Sequence, residues 1–177
     1  MSHATLSIQA ACTAQATITT PLGTLLLART AHGLAGAWFE AQKHHPGALA
    51  APEDPDDALL RDAAAQLADY FAGRTTSFDV PLDLRGTDFQ RGVWQALLRI
   101  GAGETRSYRE VAQAVGSAGA VRAVGAAIGK NPLSIVVPCH RVVGSDGALT
   151  GYAGGVERKR ALLVLEGAAI RTLEELH

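Results

Sequence analysis

An α/β (α+β) fold in two domains is what this sequence predicts, and three observations predict it. β-prone runs flank an early turn, the apolar periodicity breaks over residues 81–87, and two helix-opening capping patterns follow that break. The expected division is a sheet-plus-helix domain over residues 1–80, a linker over 81–87, and a helical domain with a helix-turn-helix over 88–170. A chain of 177 residues can build one core or two small ones.

Ala16–Thr20 and Gly23–Arg29 surround Pro21-Leu22-Gly23 as a hairpin, and Gly33–Trp38 supplies a third strand. His44–Asp57, rich in Pro, Ala and Asp, reads as a loop. Leu59, Leu60, Ala63, Leu67, Tyr70 and Phe71 then recur at helical spacing, and Gly73 supplies the stop. His44-His45 is a solvated pair rather than a metal site, and Cys12 an incidental thiol.

Composition removes several classes of protein. A hydrophobic fraction of 47%, a charged fraction of 19% and a net charge of -1 exclude a disordered tail and a grossly basic nucleic-acid coat. No apolar run approaches the ~20 residues that span a bilayer. The opening MSHATLSIQA lacks a basic segment followed by an apolar core, so no secretory signal, no membrane partner and a cytoplasmic location are expected. Two cysteines are too few for a disulfide framework or a four-cysteine zinc site. Charge is unevenly divided: residues 1–87 hold five basic and nine acidic side chains, residues 88–177 eleven and eight. The second half is therefore the one suited to an anion.

That half opens at Thr87, whose hydroxyl can cap a helix while Gln90 reaches back. Phe89, Val93, Trp94, Leu97 and Ile100 form its apolar stripe, with Trp94 in the core. Ser107-Tyr108-Arg109-Glu110 repeats the capping pattern and opens a short helix ended by Gly116. A second helix follows over Ala120–Ile128, completing a helix-turn-helix. It carries one long polar side chain, Arg122, among Ala, Gly, Val and Ile, unlike a helix that reads base edges. Composition alone favours a packed core helix whose Arg122 reaches solvent; a smooth helix with one inserting arginine is the other reading.

Ile135-Val136-Val137 reads as a short buried strand ending at Pro138, which presents Cys139. A thiol attacks as thiolate and needs a base or a positive field. His140 supplies a base, more easily through water than directly, because neighbours on a strand face opposite ways. Glu166, just past the helical stretch Val156–Leu165, is the candidate that orients it. By itself, Pro-Cys-His is equally compatible with an inert core cysteine.

The run Asn131-Pro132 followed by Ile135-Val136-Val137-Pro138-Cys139-His140-Arg141-Val142-Val143-Gly144 closely resembles the active-site signature of the O6-alkylguanine-DNA alkyltransferases (methylated-DNA–protein-cysteine methyltransferases). The resemblance extends through Phe89-Gln90, Val93-Trp94, Gly103-Glu104-Thr105, Ser107-Tyr108, Arg122-Ala123-Val124-Gly125, Gly151-Tyr152 and Gly154-Gly155, and ends near Leu165-Glu166-Gly167. It covers the second half; the first half resembles the family's ribonuclease H-like domain only in layout.

The resemblance implies roles residue by residue. Cys139 takes the alkyl group from guanine O6 in one displacement, with His140 as water-linked base and Glu166 as its partner. Asn131 braces the turn beside the site, and Tyr108 disturbs the target phosphate and donates a proton toward guanine N3. Arg122 fills the gap left by the flipped nucleotide, and Ala123, Gly125, Lys130 and Arg141 join Arg122 and Tyr108 at the DNA. The guanine edge meets backbone near Cys139, Val142 and Ala153, with Tyr152 against the ring. The partner is double-stranded DNA containing O6-alkylguanine, with O4-alkylthymine a second candidate lesion. The protein is a monomer, with cooperative assembly along DNA left open, and no cofactor is implied.

Extrusion of a base costs a few kcal/mol, which a smooth helix with one plug residue is suited to offset. The thioether product is stable and no resolving cysteine lies near Cys139 in sequence, so one turnover per molecule is expected. The chain departs from the family at Gly101, where many bacterial members have proline, and at Ala153, where some have serine. It has no Cys/His set for the structural zinc of certain members. A cysteine hydrolase built on Cys139, His140 and Glu166 would leave Tyr108, Arg122 and the helix-turn-helix without a role. A non-catalytic sensor of alkylated DNA would have no use for an intact Cys139.

Overall fold

The computed structural model describes residues 7–170; residues 1–6, part of the opening read as carrying no secretory signal, lie outside them. The described residues divide into two compact units, 7–86 with 132–136, and 87–131 with 137–170.

In the first unit, a short helix α1 (Ile8–Ala11), not expected from sequence, precedes the strands β1 (Ala14–Thr20), β2 (Gly23–Arg29) and β3 (Leu34–Phe39). Among the described residues these form a three-stranded antiparallel sheet in chain order. The expected hairpin is present, with Thr20 opposite Gly23. Every residue of β3 is buried, and Gly36 is required there on steric grounds, since a Cβ at that position would fall 1.9 Å from the Trp38 ring. Helix α2 (Ala58–Phe71) is capped by the Asp57 carboxylate and buries Leu60, Ala63, Leu67 and Tyr70. Gly73, at φ +76°, provides its left-handed exit.

The outer edge of β3 is covered from two places, which keeps its backbone groups paired. The Leu34 N–H donates to the Pro81 carbonyl and the Asp83 N–H to the Leu34 carbonyl, so residues expected in a linker are bound to the sheet. Further along, the Ala37 N–H donates to the Pro132 carbonyl and the Ser134 N–H to the Ala37 carbonyl. The expected strand Ile135–Val137 is instead a turn. Its burial is real, yet Ile135 stands at φ +73°, a left-handed value costly for a β-branched residue. An apolar run reports burial, not backbone direction.

The second unit starts with α3 (Asp88–Leu97), whose Thr87–Gln90 capping box is complete in both directions. Trp94 is in the core, its indole N–H donating to the Ala127 carbonyl at 2.8 Å. The two-residue strand β4 (Arg106–Ser107) leads into α4 (Tyr108–Ala114), opened by the reciprocal Ser107–Glu110 capping box. After a turn ending at Ala120 comes α5 (Val121–Gly129). Cys139–Arg141 forms one 3₁₀ turn, β5 (Val142–Val143) pairs in parallel with β4, and α6 (Val156–Leu165) closes the unit. No helix among the described residues is long and apolar enough to cross a membrane.

Candidate active site

Cys139 begins the 3₁₀ turn and is 6% exposed. Burial pushes its thiol up from the ordinary value of 9.0. Three influences oppose that shift: a hydrogen bond from Asn131, the positive charge of Lys159, and the backbone N–H groups of Cys139 and His140. The resting sulfur is therefore a protonated thiol. Desolvation outweighs these groups, so the thiolate that attack requires has to be generated by a base. Asn131 also donates from Nδ2 to the Val137 carbonyl at 2.8 Å, tying the end of α5 to the residue two before the cysteine.

The 3₁₀ geometry turns His140 inward, where it is fully buried. Its Nε2 lies 2.7 Å from Glu166 Oε1. Burial lowers the imidazole below 6.5, Arg141 and Lys159 act the same way, and Glu166 opposes them. A neutral ring facing an acceptor-only carboxylate must carry its proton on Nε2. Nδ1 is then the lone-pair nitrogen, buried and without a hydrogen-bond partner among the described residues. The expected His140–Glu166 pair is thus brought together, with the basic nitrogen facing away from the carboxylate.

Arg141, expected at the DNA, is not on the surface. It is 6% exposed and spends its guanidinium internally. Nε donates to Glu166 Oε2 and Nη2 to Oε1, both at 2.9 Å, while Nη1 donates to the Ile100 carbonyl at 2.5 Å. The 3₁₀ turn that buries Cys139 and His140 also buries the next side chain.

Lys159 was missed by sequence reasoning. It lies on α6, fully buried, and burial lowers its ammonium to about 8. Nζ donates to the Thr150 carbonyl at 3.2 Å and stands 6.0 Å from the centre of the Tyr108 ring. A signal existed: Lys159 shares the helix face of Leu162 and Leu163, three and four residues on, both buried. Tyr108 starts α4, and its phenolic oxygen accepts from the Thr150 hydroxyl at 3.2 Å. Tyr152 and Ala153 are half-buried, and Val142 is fully buried in β5.

On α5, Val124, Ala127 and Ile128 face the core. Arg122, Ala123, Ala126 and Lys130 lie outside that buried face, and the i, i+4, i+8 spacing of 122, 126 and 130 sets them in one stripe. A basic side chain stands at each end of that stripe with alanine between. Gly125 faces Tyr108, where an added Cβ would sit 3.7 Å from the ring.

A buried thiol beside an imidazole–carboxylate pair, built into a helix-turn-helix unit, defines a class of protein: one that brings a cysteine nucleophile to a nucleic acid. Comparison with known proteins narrows it. The family model for the DNA-binding domain of 6-O-methylguanine DNA methyltransferase matches residues 88–168, and that for its ribonuclease-like domain matches residues 14–84. A methylated-DNA–protein-cysteine methyltransferase of Mycobacterium tuberculosis is 53% identical over 150 residues, covering 85% of this chain and 90% of the relative. One from Methanosarcina barkeri is 46% identical over 156 residues, covering 87% and 97%. A crystal structure of Mycobacterium tuberculosis OGT in complex with DNA superimposes with a TM-score of 0.82 at 51% identity, covering 87% of this chain and 92% of that one. The chain belongs to the 6-O-methylguanine DNA methyltransferase family.

Proposed function

We propose that this chain repairs O6-alkylguanine in double-stranded DNA by carrying the alkyl group to Cys139, once per molecule. The observation that carries this reading is the buried Cys139 followed by a His140 whose Nε2 is committed to Glu166 and whose Nδ1 is not. The Arg122–Ala126–Lys130 stripe on the same unit supports a DNA-bound reaction. Lys130 supplies charge for phosphates, Arg122 is the long side chain that can insert, and the alanines allow close approach without reading sequence. Damage falls on any sequence, so contacts that specify none are an advantage. Arg122 fills the space of the extruded nucleotide, with Ala123 and Gly125 beside it.

The chemistry follows from the protonation states. The thiol gives its proton to His140 Nδ1, directly or through water, and Glu166 stabilises the imidazolium that results. Lys159 holds positive charge near the sulfur as it becomes anionic. The thiolate forms a bond to the alkyl carbon while the C–O6 bond breaks, leaving its electron pair on guanine. Tyr108 delivers a proton toward N3, its oxygen oriented by the Thr150 hydroxyl. The imidazolium's proton then returns to the Tyr108 oxygen, directly or through solvent, so that over the whole reaction sulfur exchanges its proton for the alkyl group and guanine gains one proton. Asn131 holds the turn at Val137, and backbone near Val142 and Ala153, with the Tyr152 ring, contacts the base. The protein acts as a monomer in the cytoplasm, where thiols stay reduced.

Mass analysis after incubation with duplex bearing O6-methylguanine tests the reading. A single added methyl group on the peptide holding Cys139 is expected. Release of unmodified protein after repair, or the group on another residue, would overturn it.

A further inference from the structure

Glu166 is a carboxylate with a 1% exposed side chain, and such a group needs donors on both oxygens. His140 Nε2 supplies one, to Oε1. Arg141 supplies two more, one to each oxygen, and its remaining nitrogen is anchored on the Ile100 carbonyl. Burying a guanidinium costs several kcal/mol before any interaction is counted, so the arrangement is an expensive way merely to fill space. Its geometry does two things that an apolar side chain would not. The planar fork fixes the rotation of the carboxylate, so that Oε1 points at the imidazole. It also sets a unit positive charge against the unit negative charge of Glu166, so that the ring faces a neutral pair.

We propose that Arg141 is a positioning residue for alkyl transfer: its grip on both oxygens of Glu166 keeps His140 neutral and oriented, with Nδ1 open as the proton acceptor. The proposal rests on the reading of His140 as the base. The charged groups acting on the imidazole are Glu166 at the C-cap of α6, Lys159 within α6 and Arg141 in the 3₁₀ turn; the Ile100 carbonyl, three residues past α3, holds Arg141 in turn. Without Arg141 the Glu166–His140 pair would carry an uncompensated negative charge in a buried place. It would bind a proton near neutrality, and that proton would occupy the nitrogen the thiol needs. The balance the structure keeps is a carboxylate negative enough to stabilise imidazolium during the reaction, yet too well neutralised to form it beforehand. The direction of the His140 shift, below 6.5 with Arg141 among its causes, agrees with this.

The test uses the full chain with isotope-labelled histidine, His140 resonances being assigned by a His140→Gln variant. The His140 titration is followed by NMR, and the rate of alkyl transfer from free O6-alkylguanine is measured across the same pH range. In Arg141→Met the His140 midpoint is expected to rise by about one unit or more, and the acid limb of the rate profile to rise with it. Arg141→Lys, which keeps the charge but not the fork, is expected to move both in the same direction by less; it also serves if the methionine variant does not fold. An unchanged His140 midpoint in a folded variant, with the rate lowered equally at all pH values, would make Arg141 purely structural and overturn the proposal. A midpoint that rises while the acid limb stays fixed would show that Arg141 sets the protonation of His140 but that His140 is not the base, which overturns the role of Arg141 in alkyl transfer through the failure of that reading.

Discussion

His140 and Glu166 are 26 residues apart in the chain and 2.7 Å apart in space, and neither side chain is more than 1% exposed. The pair is built by two local events: a 3₁₀ turn that sends His140 inward, and the end of α6 that delivers Glu166. Once it is formed, the proton on Nε2 is fixed and the reactive nitrogen of the ring is defined.

Glu166→Gln is expected to slow alkyl transfer by about a hundredfold, within the range of general-base effects, and to leave DNA affinity nearly unchanged. Stability should fall as well, because removing one partner of a buried ion pair leaves Arg141 uncompensated, a loss of up to about 3–5 kcal/mol. Single-turnover rates and a binding titration on undamaged duplex check this. A defect confined to binding would contradict the role given to Glu166.

Lys159→Met should separate stability from activity. The ammonium stands at about 8 in the fold against an ordinary 10.5, so at neutral pH its burial costs about 3 kcal/mol. Methionine removes that cost, and denaturant unfolding should show equal or greater stability. The same change takes positive charge from beside Cys139, so the rate near neutral pH should fall about tenfold for each unit the thiol rises. A variant that is both less stable and fully active would refute the account of Lys159.

Acid should weaken the fold in a stage that belongs to His140. Its folded value lies below 6.5, so between the two values the unfolded chain binds more protons. Stability from the buried neutral ring is whole above about pH 6.5 and is lost as pH falls below it, at up to about 1.4 kcal/mol per unit. Asp57 and Asp83, both held below 3.8, add a further loss only at lower pH. Urea unfolding of the wild type and of His140→Gln should differ in slope on the acid side of neutrality; parallel curves would show that His140 is not buried neutral.

Arg122→Ala should impair repair in duplex DNA by about ten- to a hundredfold, in line with the few kcal/mol needed to unstack a base. Reaction with free O6-alkylguanine needs no extrusion and should change little. Rates on the two substrates, measured side by side, decide it: equal losses would make Arg122 a structural residue.

Local patterns in the sequence carried most of the fold. The two capping boxes and the hairpin depend on residues within a few positions, and Thr87–Gln90, Ser107–Glu110 and Thr20–Gly23 all form as their spacing implies. Ile135–Val137 misled because β-branched apolar residues mark burial, while the backbone there answers to pairing of Pro132 and Ser134 with Ala37. At the site, residue type singled out Cys139, His140 and Glu166 as candidates, but an inert cysteine stayed equally open until the resemblance of the surrounding motif was added. Arg141 was misplaced because a basic residue beside a nucleophile is compatible with DNA until Glu166 is seen to face it. Lys159 was overlooked in a run of charged residues, where only its register with Leu162 and Leu163 sets it apart.

The central claim is that one sulfur, on Cys139, is consumed by accepting carbon from DNA. Titrating the protein with duplex carrying radiolabelled O6-methylguanine measures this directly, with Cys12→Ala and Cys139→Ala variants alongside. The account predicts label on protein that saturates at one per chain, unchanged in Cys12→Ala and abolished in Cys139→Ala. Label retained by Cys139→Ala, or more than one lesion repaired per molecule, would contradict it.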